Sequence, residues 1–402
     1  MNILLLTQVL PYPPDSGPKV KTLNVIKYLA RRHKITLVSY VRGDQTADIE
    51  ALKKWCHAVH AVPIERRLAL DGLALLRSLF TGQPWMMVRD DRKAMRETLR
   101  QVTAGEQFDI VQADQLNMAQ FAAEVPGALR VVDTHNALWL LYQRLAATMS
   151  GPRRWLLERD WRLLRDYEAA VIASFDAAIA VSAEDKDALV QAGAPAEKIS
   201  VIPIAVDCDE LAPVPPLPLA NHILHIGTMY WPPNVDGILW FIKEVFPLIR
   251  ARRPDVIFDV VGARPPEEIR ALGGPGTGIN VAGYVEDTLP YLRLAGAMVV
   301  PLRAGGGMRV KILNSLSQAM PIVATTIGVE GIDAVNGCHL FVADSPEDFA
   351  RATLQLMEDR ALAHQMGVNG RQLILGRYDY RSACSEYDQV YRRAQQSRQG
   401  AL

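Results

Sequence analysis

The chain has 402 residues, with 44 Lys and Arg matched by 44 Asp and Glu, 49% apolar and 22% charged side chains. This composition excludes an extended disordered chain, and the zero net charge removes the basic excess of a nucleic-acid binder. Cys56, Cys208, Cys338 and Cys384 are too scattered for a disulfide framework or a CxxC pair, and no stretch reaches the roughly 20 apolar residues of a membrane span. A reducing, cytoplasmic location is expected.

Short apolar runs alternate with amphipathic stretches along the whole chain, which predicts doubly wound α/β structure. In the first half the expected strands are 3–7, 35–40, 110–113, 130–133, 177–181 and 200–204. A helix over 18–30 places Val20, Leu23, Ile26 and Leu29 on one face. From Lys19 to Arg100 there are 17 Lys and Arg against 8 Asp and Glu, a local positive excess that the global zero conceals. Within it, the apolar run 68–80 follows Arg66 and Arg67, and a basic helix ends at Arg100. Residues 66–100 are either a core helix with snorkelling arginines, the preferred reading, or a peripheral surface for anionic lipid or a lipid-linked acceptor.

Residues 211–219 hold four prolines in nine positions and predict a stiff linker. The expected organisation is therefore an N-terminal Rossmann-like domain (1–210), a linker (211–220), a second Rossmann-like domain (221–380) and a terminal helix (381–402) that could pack on either domain. Strands are expected over 222–226, 256–261, 279–282, 297–302, 321–325 and 340–342, with helices after Asn234, Pro266, Met308 and Pro346. Ligands of such sheets collect at the carboxyl ends of the strands, so both domains are expected to face a cleft.

Three strand-end segments carry the chemistry. Gly305-Gly306-Gly307 connects an apolar strand to a helix opening with Met308, Arg309 and Lys311. Glycines allow close backbone approach, and free helix N–H groups with two added cations suit a diphosphate. After the first strand, Gly17 offers similar backbone access just ahead of a helix. His135, after the strand 130–133, faces the crevice and could donate to a sugar hydroxyl or accept a proton, or serve structure alone.

The order of these pieces resembles the retaining GT-B glycosyltransferases of family 4, also called group 1. Val201-Ile-Pro-Ile-Ala-Val-Asp207, His225-Ile-Gly227, Gly283-Tyr284-Val285 and Pro321-Ile-Val-Ala-Thr-Thr-Ile-Gly328 fall in family sequence with the three segments above. The resemblance implies two Rossmann-like domains facing each other across a cleft and a nucleotide diphosphate sugar as donor. It also implies a sugar, glycolipid or other hydroxyl acceptor in polysaccharide or glycolipid synthesis, with no cofactor and no metal. It assigns the donor diphosphate to the glycine loop with Arg309 and Lys311, the nucleobase to Gly283, Tyr284 and Val285, the donor sugar to His135, and phosphate or acceptor closure to Gly17.

The chain also departs from the family. Gly306 and Asn314 stand where relatives carry two glutamates eight positions apart. Glu330 is a candidate to contact the sugar instead, and Asn314 to bond a ribose hydroxyl without charge assistance. The Arg and Lys usual after the Gly227 strand are replaced by Trp231-Pro232-Pro233-Asn234, which leaves Arg309 and Lys311 to hold the phosphates. Asp207-Cys208-Asp209 is read as linker rather than as a metal motif, and His222, His225 and Trp240-Phe241-Ile242 as core. A nucleotide-sugar epimerase of the same fold and a non-catalytic partner subunit are the alternative functions.

Overall fold

A computed structural model describes residues 1–215 and 221–400. Residues 216–220 of the expected linker lie outside the described residues. The chain divides into two compact units, one of Met1–Ala205 together with the chain from Tyr380 onward, the other of Val206–Asp379.

The first unit is built on β1 (Asn2–Thr7), β2 (Lys34–Val41), β3 (Ala58–Pro63), β4 (Ile110–Asp114), β5 (Leu129–Asp133), β6 (Ala177–Ala180) and β7 (Ile199–Val201). All pairings are parallel, in the order β3-β2-β1-β4-β5-β6-β7. Alternation along β1 sends Leu4 and Leu6 to one face and Ile3 and Leu5 to the other, and each pair is buried in a different core. That is why β1 reads as unbroken apolar sequence: helices cover both faces. On the Ile3/Leu5 face, Leu23, Ile26 and Leu29 of helix Gly17–Leu29 meet Tyr387, Val390 and Tyr391 of the terminal helix Ser385–Gly400.

Polar bonds reinforce that packing. Asp133, fully buried, takes the Lys21 ammonium and the Tyr387 hydroxyl (2.5 Å), and the Tyr391 hydroxyl donates to Gln112 Oε1 at 2.5 Å. Strand β3 is not among the expected strands. It is an edge strand paired only with β2 and ends in a proline, which an edge position tolerates.

The second unit contains β8 (His222–Ile226), β9 (Ile257–Val261), β10 (Ile279–Gly283), β11 (Ala295–Val300), β12 (Ile322–Ala324) and β13 (Phe341–Val342). They are again parallel, in the order β10-β9-β8-β11-β12-β13. One face buries Ile223, Phe258, Val260 and Val299 against Trp240, Phe241 and Phe349, so Trp240-Phe241-Ile242 is core, as the sequence suggests.

The core-helix reading of 68–80 is overturned. Helix Leu68–Thr81 buries only Ala74 and Ser78, while Leu68 and Phe80 are 93% and 90% exposed. No described helix is long and apolar enough to cross a membrane.

Candidate active site

In the second sheet the strand order reverses between β8 and β11, so the segments after these strands leave a crevice at the carboxyl edge. Glycines border it. Gly227, after β8, donates its N–H to Val261 O at 2.9 Å, and Gly262, after β9, donates to Gly283 O at 2.7 Å. A Cβ at Gly262 would stand 1.7 Å from Gly227 O, so the adjoining backbones leave no room for a side chain.

Three polar side chains converge on Gly227. A Cβ there would meet Lys311 Nζ at 2.6 Å, His225 Nε2 at 3.1 Å and Asn234 Nδ2 at 3.2 Å. Lys311 donates to Asn234 Oδ1 at 2.9 Å, and Asn234 Nδ2 donates to Thr228 O at 2.8 Å. His225 is fully buried. Its Nδ1 lies 3.0 Å from Val299 O on β11 and so carries the proton, while Nε2 is buried with no hydrogen-bond partner. Burial, then the Lys311 charge, push the His225 pKa well below its ordinary value. It is therefore a neutral imidazole with an unused acceptor. Burial of the ammonium, then repulsion from Arg309, lower the Lys311 pKa to about 7, although the residue keeps some exposed surface.

The glycine loop follows β11. Arg303 anchors its start with a two-bond ion pair to Asp236 (2.7 and 2.9 Å). Gly305 (φ +121°) and Gly307 (φ +75°) adopt backbone conformations that side chains disfavour, and so require glycine. The helix begins at Val310, not Met308, and Met308 is buried. Arg309 is its N-cap residue and folds back over the loop to donate to Gly306 O. Lys311 lies within the helix and reaches toward β8. The two cations thus take different partners, Arg309 the Gly306 carbonyl and Lys311 the Asn234 amide oxygen.

Asn314 Oδ1 is buried without a hydrogen-bond partner, an acceptor waiting for a donor. Glu330, partly buried, follows the short helix Thr326–Val329, whose cap Thr325 accepts from Gly328 N at 3.0 Å. Gly283 (φ +72°) ends β10, with Tyr284 exposed and Val285 half-buried beyond it.

The first unit has its own strand-order reversal, between β1 and β4. His135, after β5, sets Nε2 3.0 Å from Asp114 Oδ1, at the end of β4. Gln115 Nε2 lies 3.3 Å from His135 Nδ1. An acceptor on one side and a donor on the other fix the tautomer with the proton on Nε2. Both ring nitrogens are engaged, so a bond to a sugar must replace one of these partners. Gln115 has φ +76°, a strained value for a side-chain-bearing residue, and its amide is the group that meets His135. Asp114 Oδ2 accepts from Thr22 Oγ1 at 2.9 Å, which ties the His135 group to the helix that opens at Gly17. Beyond His135, buried Glu168 accepts from the N–H groups of Leu138 and Trp139 at 2.9 Å each, and burial raises its pKa to about 8.

Sequence reasoning left His225 as core, which it is, and gave no role to Asn234, Gly262, Asp114 or Gln115. Gly227 after a His-containing strand was the available signal for His225. Among the described residues no three His, Cys, Asp or Glu side chains gather as metal ligands, and Asp207 accepts from Asp209 N at 3.1 Å in a local turn.

The model for glycosyltransferase family 4 matches residues 16–210, and that for glycosyl transferases group 1 matches residues 220–359. The chain belongs to this glycosyltransferase family. Its two parallel α/β sheets are those of GT-B glycosyltransferase structures. Over 97% of this chain and 99% of the other, it is similar to Anabaena HepE in complex with UDP and glucose, at 15% identity and a TM-score of 0.67. Sucrose-phosphate synthase from Thermosynechococcus elongatus aligns over 99% and 100% of the two chains, at 14% identity and a TM-score of 0.72.

Among curated sequences, the chain is 23% identical to an uncharacterized 44.6 kDa protein in the cps region of Klebsiella pneumoniae, over 41% of this chain and 44% of that one. It is 26% identical to an uncharacterized glycosyltransferase of Methanocaldococcus jannaschii, over 42% and 44%. The chain thus spans less than half the length of the curated relatives it matches.

Proposed function

We propose that this glycosyltransferase takes a nucleotide diphosphate sugar in its second unit and passes the sugar, with retained configuration and without a metal, to a hydroxyl acceptor served by the first. The observation that carries the donor reading is the convergence of Lys311, Asn234 and His225 on Gly227 beside the glycine loop. A diphosphate there finds an ammonium, open backbone and the guanidinium of Arg309, all preorganised against charge on the departing group. The nucleotide class is supported by HepE, whose structures include a complex with UDP-glucose. A role in polysaccharide or glycolipid synthesis is supported by the relative in a cps region.

Retention is supported by the state of Asp114. This carboxylate beside His135 is almost wholly buried, and both its oxygens are occupied by His135 and Thr22. It orients the imidazole and is poorly placed to attack carbon, which favours front-face transfer assisted by the leaving phosphate over a covalent intermediate.

We also propose contact with the cytoplasmic face of a membrane through helix Leu68–Thr81. Leu73 on this helix is 63% exposed, and Trp155 on the adjoining helix Gly151–Ser174 is 60% exposed. Arg159 Nη2 joins the two helices by donating to Ser78 O at 2.5 Å. Arg67, Arg77, Arg153 and Arg154 rim this apolar surface in the sequence, the pattern of an interfacial helix on anionic lipid.

The test is incubation with a panel of nucleotide sugars, with and without cell lipid extract and a chelator, following nucleotide release, sugar identity and anomeric configuration. Acceptor-dependent release with retention, unaffected by chelation, is expected. Sugar conversion without acceptor would assign an epimerase instead, and an inverted product would refute retention.

A further inference from the structure

The strand ends on the β1–β2–β3 side of the first unit carry a second polar group, away from His135 in sequence and built on one carboxylate. Asp90, with no exposed surface, ends the short helix Trp85–Asp90. Its oxygens accept from Gln8 Nε2 (2.8 Å) after β1, Asn117 Nδ2 (2.9 Å) after β4, Arg66 Nη2 (2.6 Å) after β3, and Arg89 Nε (3.0 Å). Its backbone carbonyl takes the Tyr40 hydroxyl of β2 at 2.8 Å. The buried carboxylate therefore locks two guanidiniums and the segments after three strands into place, and the Asp90 backbone carbonyl holds the fourth.

The charges there do not balance. Arg42, following β2, makes no hydrogen bond or ion pair from its guanidinium among the described residues. Arg42 is exposed, and partial burial, then the charges of Arg66 and Arg89, lower its pKa, while Asp90 and Asp71 offset these charges only in part. The neighbouring acid, Asp91, is already held by Arg96. Arg66 Nη1 and Arg92 Nε and Nη2 are buried with no partner. Buried guanidinium N–H groups without acceptors are costly unless an acceptor arrives, and a forked guanidinium pairs well with phosphate oxygens. A single carboxylate ligand would only repeat what Asp90 already supplies, whereas a phosphate offers several oxygens to the positive surplus that Asp90 and Asp71 leave on the three arginines.

We propose that the acceptor of this transferase carries a phosphate ester, received by Arg42, Arg66 and Arg89, with Asp90 positioning the latter two. The proposal rests on the reading of the first unit as the acceptor side. Arg66 stands two residues before the exposed apolar helix Leu68–Thr81, so an alkyl chain joined to that phosphate has a surface to lie on.

Calorimetric titration of the full chain with decyl phosphate, inorganic phosphate and neutral decyl glucoside tests this without any donor. Decyl phosphate should bind, and Arg42→Glu and Arg66→Gln should each weaken it at least tenfold. UDP, titrated separately, should bind each variant as it binds the wild type, which shows that the second unit is intact, and an unchanged melting temperature and circular dichroism spectrum show that the first unit is folded. Equal binding of inorganic phosphate, with the same losses, would keep the anion site and remove the lipid as its source. Decyl glucoside binding as tightly as decyl phosphate, no binding of either phosphate, or unchanged affinity in both variants would overturn the proposal. Absence of nucleotide release in the donor panel would instead refute the transfer reading, and it leaves these titrations as they are.

Discussion

Lys311 gives the sharpest test of the donor site. Its pKa of about 7 means that the empty site holds the ammonium only partly charged near neutrality. A nucleotide sugar brings a diphosphate that stays ionised across this range, and it should restore the proton. The sign follows: below pH 7 Lys311 is charged with or without donor, so affinity is flat. Above pH 7 the free protein has lost the proton that the complex keeps, so affinity falls. Taking the bound-state pKa well above 8.5, so that the complex stays protonated, the charged fraction of free protein drops from about three-quarters at pH 6.5 to about 3% at pH 8.5, weakening binding about 25-fold, or ~1.9 kcal/mol. Titration of UDP-glucose in buffers of different ionisation heat should show uptake of about 0.9 proton at pH 8 and about 0.1 at pH 6. Lys311→Met should bind weakly with no pH dependence in this window. Wild-type affinity that is level from pH 6.5 to 8.5, with no proton uptake, would refute the assignment of Lys311 to the diphosphate.

Three further outcomes are expected. Gly227→Ala places a methyl 2.6 Å from Lys311 Nζ and should weaken UDP-glucose binding at least tenfold while the melting temperature changes little, because the displaced atom is the end of a flexible side chain. Asp114→Ala removes the acceptor that sets the His135 tautomer, and should lower kcat tenfold or more with UDP-glucose affinity unchanged; loss of affinity alone would argue against a role at the reacting centre. In the support beneath the first sheet, Tyr387→Phe should cost about 1–3 kcal/mol in denaturant unfolding. Asp133→Asn, which strips the buried Lys21 of its charge partner, should cost about 3–5 kcal/mol, and equal small losses in both variants would contradict the network described.

Most of the fold can be read from local pattern because parallel strands covered on both faces leave uninterrupted apolar runs, such as Ile3–Leu6 or Ala297–Val300. Where only one neighbour exists, as for β3, the run shortens and includes His60, and the pattern weakens. The misreading of 68–80 has a different cause. Six leucines in a helical stretch look the same whether they meet protein or solvent; what distinguishes the two is whether another element covers them, and no local window contains that information. The glycine loop was legible because its backbone demands glycine at 305 and 307. His225 was not, because a buried histidine on a strand becomes part of a site only through Lys311, which arrives from 86 positions later in the chain.

That distant pairing accounts for two departures from the family pattern together. The segment after β8 has no Arg or Lys of its own, and Asn234 occupies the position from which a cation would reach the crevice. Its amide instead receives Lys311 from the helix after β11, so positive charge returns to the same edge from the neighbouring strand. The exchange needs space, and Gly227 supplies it: any side chain there would collide with the incoming ammonium. It also needs an uncharged neighbour, which His225 provides by donating Nδ1–H to Val299 and remaining neutral. Within the same helix Asn314 keeps a buried acceptor open, so eight residues carry both a cation and an unused acceptor. The missing glutamates and the missing basic pair are then one rearrangement of charge around Gly227, and the single variant Asn314→Glu, restoring one glutamate alone, should add a carboxylate to the helix that carries Lys311 and raise that lysine's pKa above 7 rather than improve sugar transfer.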